Sequence, residues 1–397
     1  MTVRQVAKQG QKWMRIAHVR SLALARGVSA VRTRLQLPDN GTCDFAAPAA
    51  DDRCRILHVE QSPEFHRPLP QLPNRPETAS YFAGRATEPA FDRMVVELRH
   101  ARVAGFSEGT VLSAAGRLIP AISRDPWGPR LHTALTRWSF PRADRLGGAT
   151  LNLLTPEAAN NYHHWLLDLL PRWALVARAG FLPADFDQVL VPPNSADYAT
   201  ATLVQLGFSP EQLLPVTTES AWQVEQLITP TLKPHNQCLP AADAEFLRAR
   251  FLPAAGPSFD APRRLYLSRR DARFRRLQNE PAFRELLLGN GFVDTTMDGR
   301  SVEEQAALIA GAEIIVAPAG AALANLVFAS PGCQVIELTA PGWLTVYHWM
   351  VSARLGLNHT ILCGSGAAQT GVLNLSNRTD DIALSPETLA FALGTPA

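Results

Sequence analysis

Cysteine is scarce in this chain. Five cysteines occur among 397 residues, and no two of them have the CxxC spacing of a zinc or redox site. We therefore expect reduced thiols in a cytoplasmic compartment rather than disulfides. Two of them, Cys333 and Cys363, are expected to be buried small hydrophobes.

Three signatures of cofactor binding and targeting are also missing. No Gly-x-Gly-x-x-Gly sequence follows a strand, which argues against an oxidoreductase that binds a nicotinamide dinucleotide. Residues 1–38 contain no apolar run near the roughly 20 residues that span a bilayer. They also lack the apolar core of a secretory signal, so we expect no cleaved signal peptide.

Acidic residues are absent from the N-terminal arm, residues 1–38. The arm carries eight Lys or Arg, whereas the rest of the chain has more acidic than basic residues. Its apolar residues suit an amphipathic helix at an anionic membrane surface, and a terminal helix packed on the body is the alternative. We expect no nucleic-acid partner, because the body is acidic and has no motif for reading nucleic acid.

The composition is that of a globular α/β protein with two domains. Hydrophobic residues make up 46% of the chain and charged residues 19%. After the arm, residues 39–148 are interpreted as a linker and a small antiparallel β element. Residues 149–255 and 263–397 alternate strand and helix patterns, which indicates βαβ units on parallel sheets. The Pro- and Gly-rich stretch 251–262 is the predicted interdomain linker.

The apolar patterns predict individual elements. Antiparallel strands are expected between 94 and 122, and further strands at 56–59, 150–154, 188–191, 226–228, 265–267, 292–295, 314–316 and 334–338. Helices are expected at 162–179, 196–206, 280–289, 301–311, 321–329 and 343–355.

The segment 263–338 combines basic residues with short apolar strands. Its first strand is followed within eight residues by five arginines: Arg269, Arg270, Arg273, Arg275 and Arg276. Its third strand runs into Pro318-Ala319-Gly320-Ala321 and a helix pattern. Backbone N–H groups at such a turn favour an anion, and arginine forks suit a diphosphate. The alternative is a solvated basic face in an ordinary α/β unit.

Two islands of sequence carry a family resemblance. The first runs from Asn160 to Arg172 and contains Asn-Tyr-x-His-Trp, with His163 at the x position, then Asp and Pro-Arg in the family's order. The second island contains Tyr266-Leu267-Ser268-Arg269, Arg275-Arg276, Asn279-Glu280, Gly291-Phe292, Glu304-Gln305, Ala312 to Val316, Gly320-Ala321, Asn325, Phe328 and Glu337-Leu338. Together they resemble glycosyltransferase family 61, which includes capsule and cell-surface polysaccharide enzymes of bacteria and extracellular transferases of eukaryotes.

The resemblance implies a fold and an activity. The implied fold is α/β and GT-B-like, with two facing Rossmann-like domains. To these the residue patterns above add a small N-terminal β element and a basic N-terminal helix. The implied reaction is an inverting transfer from a nucleotide-sugar to a glycan or lipid-linked glycan of a cell-surface polysaccharide, capsular or related. We expect a cytoplasmic protein peripheral to the inner membrane. No metal or other cofactor is expected, because GT-B enzymes generally stabilise the leaving group with protein groups.

The chain departs from the family at one position. The family usually has Pro-His-Gly-Ala where this chain has Pro318-Ala319-Gly320-Ala321, so Ala319 replaces a histidine. If that histidine contacts the donor, the mechanism is altered or lost here. The alternative function is therefore a catalytically inactive homologue that binds nucleotide or glycan as a partner or scaffold.

The first island offers an acid–base pair. On a helix, His164 and Asp168 lie at i and i+4, so the carboxylate can fix the imidazole tautomer and raise its basicity. We predict His164 as the general base and Asp168 as its orienter, with direct action of Asp168 as the variant. His163 points about 100° away on the helix and is the less favoured base. A polar contact within the core is the alternative.

The second island offers the donor site. Arg269 and Arg275 are the predicted diphosphate ligands, with backbone donors from the Gly320-Ala321 turn. Asn279, Glu280 and Glu337 are candidates for ribose or sugar hydroxyls, and a surface acid is the alternative for Glu337. Asn325 is either a donor ligand or a brace for the turn.

Overall fold

The described residues form two compact units. The computed structural model describes residues 54–394 except 106–108, 124–131, 136, 138, 156, 236, 255, 257–260 and 367–378. Unit 1 takes its described residues from Met1–Glu60 and Asp92–Lys233, and unit 2 from Gln61–Phe91 and Pro234–Ala397. The predicted basic helix, residues 1–38, lies outside the described residues.

The secondary structure is mixed α/β. The strands are β1 (Cys54–Ser62), β2 (Phe65–His66), β3 (Thr87–Glu88), β4 (Phe91–Ala104), β5 (Thr110–Leu112), β6 (Asp144–Asn152), β7 (Gln188–Val191), β8 (Leu213–Pro215), β9 (Ala221–Pro230), β10 (Arg264–Leu267), β11 (Val293–Thr295), β12 (Ile314–Pro318), β13 (Gln334–Thr339) and β14 (Asn358–Cys363). The α-helices are α1 (Ala79–Ala83), α2 (Tyr162–His164), α3 (Leu170–Arg178), α4 (Asp197–Gln205), α5 (Ala241–Phe251), α6 (Glu280–Gly289), α7 (Val302–Ala310), α8 (Tyr347–Leu355) and α9 (Pro386–Leu393).

Unit 1 is built on a seven-stranded mixed sheet. Its order is β1-β4-β9-β6-β7-β8, with β5 paired to β4. Strands β9, β6, β7 and β8 form a parallel set, whereas β4 pairs antiparallel with β5 and β9. The antiparallel strands predicted between 94 and 122 therefore belong to the same sheet as the predicted βαβ units. They join it because Val96 and Leu98 of β4 share one apolar core with Val224 and Leu227 of β9.

The helix predicted at 162–179 contains a π-helical turn. The turn, Trp165–Leu169, separates α2 from α3, and the Leu170 N–H donates to the Trp165 carbonyl. The physical reason is Pro171, which lacks an N–H and cannot bond the Leu167 carbonyl four residues earlier. Such π-helical turns are frequent at functional sites.

Unit 2 is built on a five-stranded parallel sheet. Its order is β11-β10-β12-β13-β14, which is 2-1-3-4-5 when the strands are numbered along the chain. This is a doubly wound order whose direction reverses between the first and third strands. Side chains on one face, among them Tyr266, Val316 and Ile336, form a core with Phe283 of α6 and Leu389 of α9.

The boundary between the units differs from the predicted linker. It lies between Lys233 and Pro234, and residues 251–262 are inside unit 2. Residues 241–251, which were assigned to the N-terminal domain at 149–255, form helix α5 within unit 2. Arg248 donates to the Val327 and Ala329 carbonyls at 2.9 and 2.7 Å, and the rings of Phe251 and Phe328 pack edge to face.

The segment Gln61–Phe91 was predicted to be linker, but it packs on unit 2. We call it the strap. Gln71 pairs with β14 through backbone bonds to His359 and Ile361, which protects an open sheet edge. Phe82 packs edge to face on Trp349 of α8, with ring centroids 5.3 Å apart.

The helix predicted at 321–329 is a 3-10 helix, Ala321–Phe328, which is buried from Leu323 onward. No helix in the described part of the chain combines the length and the apolar character needed to cross a membrane.

Candidate functional site

The first candidate site lies at the carboxyl edge of the unit 2 sheet. Ligands of doubly wound sheets bind outside the carboxyl ends of the strands, where the strand order reverses. Here the reversal lies between β10 and β12. Arg269 follows the end of β10 by two residues, and Gly320 follows the end of β12 by two. Topology thus brings together two of the predicted donor residues.

Arg269 is an enclosed cation with open hydrogen-bonding capacity. Its guanidinium lies against Gly320, where a Cβ would overlap Nη1, and its Nη2 donates to the Phe274 carbonyl at 3.1 Å. Its buried Nε has no hydrogen-bond partner, and no carboxylate within the described residues forms an ion pair with it. Burial lowers the pKa of Arg269. A bound anion would supply a direct ion-pair partner for the guanidinium.

Arg275 lies on the loop that Arg269 contacts through Phe274. It has a left-handed backbone, with φ of 57°, which is uncommon for a residue with a side chain. Its Cζ lies 4.4 Å from the ring centroid of Trp343, in the 3-10 turn that follows β13. This cation–π contact orients the guanidinium at the same edge of the sheet. Trp343 was not predicted as a site residue.

Two other arginines of the basic cluster already have counter-charges. Arg270 forms two bonds to the Asp294 carboxylate at 2.8 and 2.7 Å, and Arg284 donates to the same carboxylate at 2.6 Å. Arg276 lies 3.9 Å from the Asp381 carboxylate. These pairs distinguish structural arginines from Arg269.

Glu280 and Asn279 take up positions beside the end of β10. The Glu280 Oε1 accepts hydrogen bonds from the Tyr266 hydroxyl at 2.7 Å and from the Ser268 hydroxyl at 2.6 Å. Burial and the Glu280 carboxylate raise the pKa of Tyr266. Asn279 is exposed, has φ of 56° and precedes the first turn of α6 without a side-chain capping bond. Glu280 thus fixes the strand end, and Asn279 remains accessible.

Asn325 braces the turn that contains Gly320 and Ala321. It is fully buried and donates to Gln305 Oε1 at 2.7 Å and to the Ala322 carbonyl at 3.1 Å. This geometry ties the 3-10 helix to α7. Ala321 is partly exposed at the start of that helix.

Glu337 occupies a buried network, so the alternative of a surface acid is wrong, and its contact with ribose or sugar hydroxyls stays a prediction. Its two carboxylate oxygens pair with His348 Nδ1 at 2.8 Å and His359 Nε2 at 3.1 Å, and His359 Nδ1 pairs with the Ser352 hydroxyl at 2.7 Å. Burial would raise the pKa of Glu337, but the two histidines lower it to about 2. The carboxylate joins β13, α8 and β14. Sequence spacing gave no sign of this network.

Ala319 lies immediately before the Gly320-Ala321 turn of unit 2. It is fully buried, and its N–H donates to the Leu338 carbonyl at 2.7 Å. The methyl group therefore belongs to the sheet's core in this chain.

The second candidate site lies in unit 1 and contains the predicted acid–base pair. His164 Nδ1 lies 2.7 Å from Asp168 Oδ2, and both side chains are buried. Asn161 precedes the helix, and its side chain accepts from the His163 N–H at 3.1 Å. The π-helical turn holds Asp168 facing the imidazole. His163 packs its ring edge to face on His164.

Lys233 is a third charged residue at this site, and it was not predicted. Its ammonium contacts Asp168 Oδ1 and donates to the Leu167 carbonyl at 3.1 Å. That carbonyl is the one released by Pro171. Burial would raise the pKa of Asp168, but the charge of Lys233 and the hydrogen bond from His164 hold it well below its usual range. Asp168 is therefore ionised, and its role as the orienter of His164 stays a prediction.

Glu157 also faces the imidazole and was not predicted. Its Oε2 lies 3.4 Å from His164 Nε2. Burial alone would lower the pKa of His164, but the hydrogen bond and charge of Asp168 and the charge of Glu157 raise it above its ordinary value. No sequence spacing marks Glu157, because it lies in the loop before the helix.

The described residues contain no candidate metal site. Within the part that the structure describes, no group of three or more His, Cys, Asp or Glu could hold a metal ion. One Asp-x-Asp sequence exists, at 185–187, but Asp185 accepts from the Leu182 N–H and Asp187 from the Ala149 N–H. The expectation that no metal is required stays a prediction.

Comparison with known proteins links both candidate sites to one family. Residues 162–336 match the family model described as Glycosyltransferase 61. The matched range includes His164, Asp168 and Arg269 and leaves out Glu157 and Glu337. None of the curated proteins compared with the chain matches it. The family match supports glycosyltransferase family 61 and a transferase activity.

Proposed function

We propose that this chain is an inverting glycosyltransferase that moves a sugar from a nucleotide-sugar to a glycan or lipid-linked glycan of a cell-surface polysaccharide, such as a capsule. The observation that carries the proposal is Arg269, a cation that forms no ion pair within the described residues, at the switch point of a parallel sheet. The family match supports the transferase chemistry.

The donor side of the reaction requires stabilisation of a departing nucleotide diphosphate. As the bond between the anomeric carbon and the phosphate oxygen breaks, negative charge grows on the diphosphate. Arg269 is placed to donate to it, and Arg275, stacked on Trp343, is a second cation on the adjoining loop. The N–H groups at Gly320 and Ala321 are further donors.

The acceptor side requires a base. A neutral His164 with its Nδ1–H donated to Asp168 presents Nε2 as the proton-accepting atom. As Nε2 takes the proton of the acceptor hydroxyl, the acceptor oxygen bonds to the anomeric carbon opposite the leaving diphosphate, which inverts that carbon. Asp168, held ionised by Lys233, then stabilises the imidazolium.

One observation favours a second function. Ala319 stands where the resembled family usually has histidine, and its methyl group is buried in the core. A homologue that binds a nucleotide or glycan without transfer would retain Arg269 and lack turnover.

Nucleotide binding by the purified protein tests the proposal. Thermal unfolding is measured with UDP, GDP, CMP and ADP, each with and without EDTA. We expect a rise in Tm with one nucleotide, because a ligand that binds the folded state stabilises it by mass action. Arg269→Ala should weaken that binding by on the order of 2 kcal/mol, roughly 30-fold, because a charge-assisted contact is lost.

The matched control is Arg263→Ala, since Arg263 is an exposed arginine of unit 2 that pairs with exposed Glu313. We expect wild-type affinity from it. Nucleotide binding that needs Arg269 but brings no sugar transfer would favour the inactive homologue. Absence of stabilisation by every nucleotide would refute the donor site.

A further inference from the structure

An exposed phenylalanine lies beside the proposed diphosphate site, and the proposed mechanism does not use it. Phe274 is 41% exposed, although burial of a ring of this size is strongly favourable. Its backbone carbonyl accepts the 3.1 Å hydrogen bond from Arg269 Nη2, so its ring lies within one side-chain length of that guanidinium. Within the described residues, Phe391 of α9 is the one other exposed phenylalanine.

The loop that carries Phe274 pairs cations with aromatic rings. The Arg273 Cζ lies 5.0 Å from the Phe274 ring centroid, and the Arg275 Cζ lies 4.4 Å from the Trp343 ring centroid. Both distances are in the range of cation–π contacts. Arg273 covers only one face of the Phe274 ring, which leaves the other face for a second flat partner. Trp343 is only partly exposed and is already engaged by Arg275, so Phe274 offers the more open ring.

The loop combines the two kinds of contact that a nucleoside diphosphate requires. It follows β10, whose carboxyl end lies where the strand order reverses. The diphosphate half of such a ligand needs a cation, which Arg269 supplies. The base half has a flat π-face, and bases of every kind stack on aromatic side chains through that face. An enclosed guanidinium and an open ring on one loop therefore match the two halves of one ligand.

We infer that Phe274 is the stacking platform for the nucleobase of the donor, with Arg273 behind the ring. The inference deepens the proposed function and rests on it, because the diphosphate is taken to bind Arg269. It assigns the Phe274 ring to the base and the Arg269 guanidinium to the anionic half. Stacking of this kind contributes affinity with little choice among bases, so the base preference comes from other groups.

Calorimetric titration of the full chain with UDP, GDP and ADP, and with inorganic pyrophosphate, tests the assignment. Phe274→Ala should weaken binding of the nucleoside diphosphate roughly tenfold and leave pyrophosphate binding unchanged, because only the stacking contact is lost. Arg269→Ala should weaken both ligands. Phe274→Trp keeps a stacking face and should bind the nucleotide like wild type. Phe274→Leu keeps apolar bulk without that face and should resemble Phe274→Ala.

Phe391→Ala is the matched control, because it removes the other exposed phenylalanine of unit 2 and should leave every affinity at the wild-type value. Wild-type nucleotide affinity in Phe274→Ala or Phe274→Leu would overturn the platform and leave the Arg269 site standing. An equal fall for nucleotide and pyrophosphate would show that Phe274 acts on the anionic half, which also overturns the inference. Absence of binding by every nucleotide would remove the platform together with the proposed donor site.

Discussion

At the scale of single residues, the proposed donor site depends on the absence of a side chain at Gly320. Gly320 has an extended backbone that any residue adopts, with φ of −177°. Its missing side chain matters because Arg269 Nη1 occupies the volume that a Cβ would take. Gly320 therefore sets where the guanidinium lies.

Gly320→Ala should displace Arg269 and weaken nucleotide binding roughly tenfold, with a stability loss below about 1 kcal/mol. The stability cost is small because the clash is with the far end of a flexible side chain. Calorimetric titration with the stabilising nucleotide measures the affinity. In the Arg269→Ala background, Gly320→Ala should cost nothing more, since the two changes act through one guanidinium.

Gly289→Ala is the control for this cycle, because nothing lies within 4 Å of the added methyl at the end of α6. Additive losses from Gly320→Ala and Arg269→Ala would mean that the glycine acts on binding by another route.

The site residues differ in how far the sequence could predict them. Asp168 lies one helical turn from His164, so periodicity alone pairs them, and the structure does so at 2.7 Å. Lys233 reaches the same carboxylate from 65 positions later in the chain. Glu157 reaches the imidazole from an irregular loop. Neither contact follows a regular helix or strand spacing, so the sequence could not predict them. Both are created by the tertiary fold.

At the scale of elements, Glu337 holds three of them together. Its carboxylate on β13 bonds His348 of α8 and His359 of β14. The sequence offered Glu337 as a ligand for ribose or sugar hydroxyls, with a surface acid as the alternative. The structure buries it because the two histidines supply hydrogen bonds that compensate for lost water.

Glu337→Gln should lower the free energy of unfolding by on the order of 3 kcal/mol near neutral pH. The pKa of Glu337 is depressed from 4.5 to about 2 in the folded state. The stabilisation is therefore complete above the unfolded value and is lost as the pH falls from 4.5 through about 2.

Urea unfolding at about pH 7 and about pH 3 tests this dependence. The difference between wild type and Glu337→Gln should shrink at the lower pH. Glu313→Gln, an exposed glutamate paired with Arg263, is the control and should cost less than about 1 kcal/mol. A difference that is the same at both pH values would show that the carboxylate charge is not what stabilises the elements.

At the scale of the whole molecule, apolar sequence patterns predicted the positions of strands better than the boundaries between the two units. The strand predicted at 314–316 lies within β12 and the one at 334–338 within β13, since strands buried on both faces of a parallel sheet are continuous apolar runs. The strap could not be predicted, because Gln71 meets β14 across 289 positions. The stretch 251–262 has a linker's composition, yet both sides of it belong to unit 2.

This organisation predicts which fragments fold. Residues 263–397, the C-terminal domain predicted from sequence, lack the strap and α5. They would expose the edge of β14 at Gln71, the Trp349 face that Phe82 covers, and the Phe328 face that Phe251 covers. We expect them to aggregate or stay unfolded, because an open edge and uncovered aromatic side chains oppose a stable monomer. Residues 61–91 joined by a Gly/Ser linker to residues 234–397 should fold. Amide NMR dispersion and a cooperative thermal transition distinguish the two fragments, and a folded 263–397 would show that unit 2 needs neither the strap nor α5.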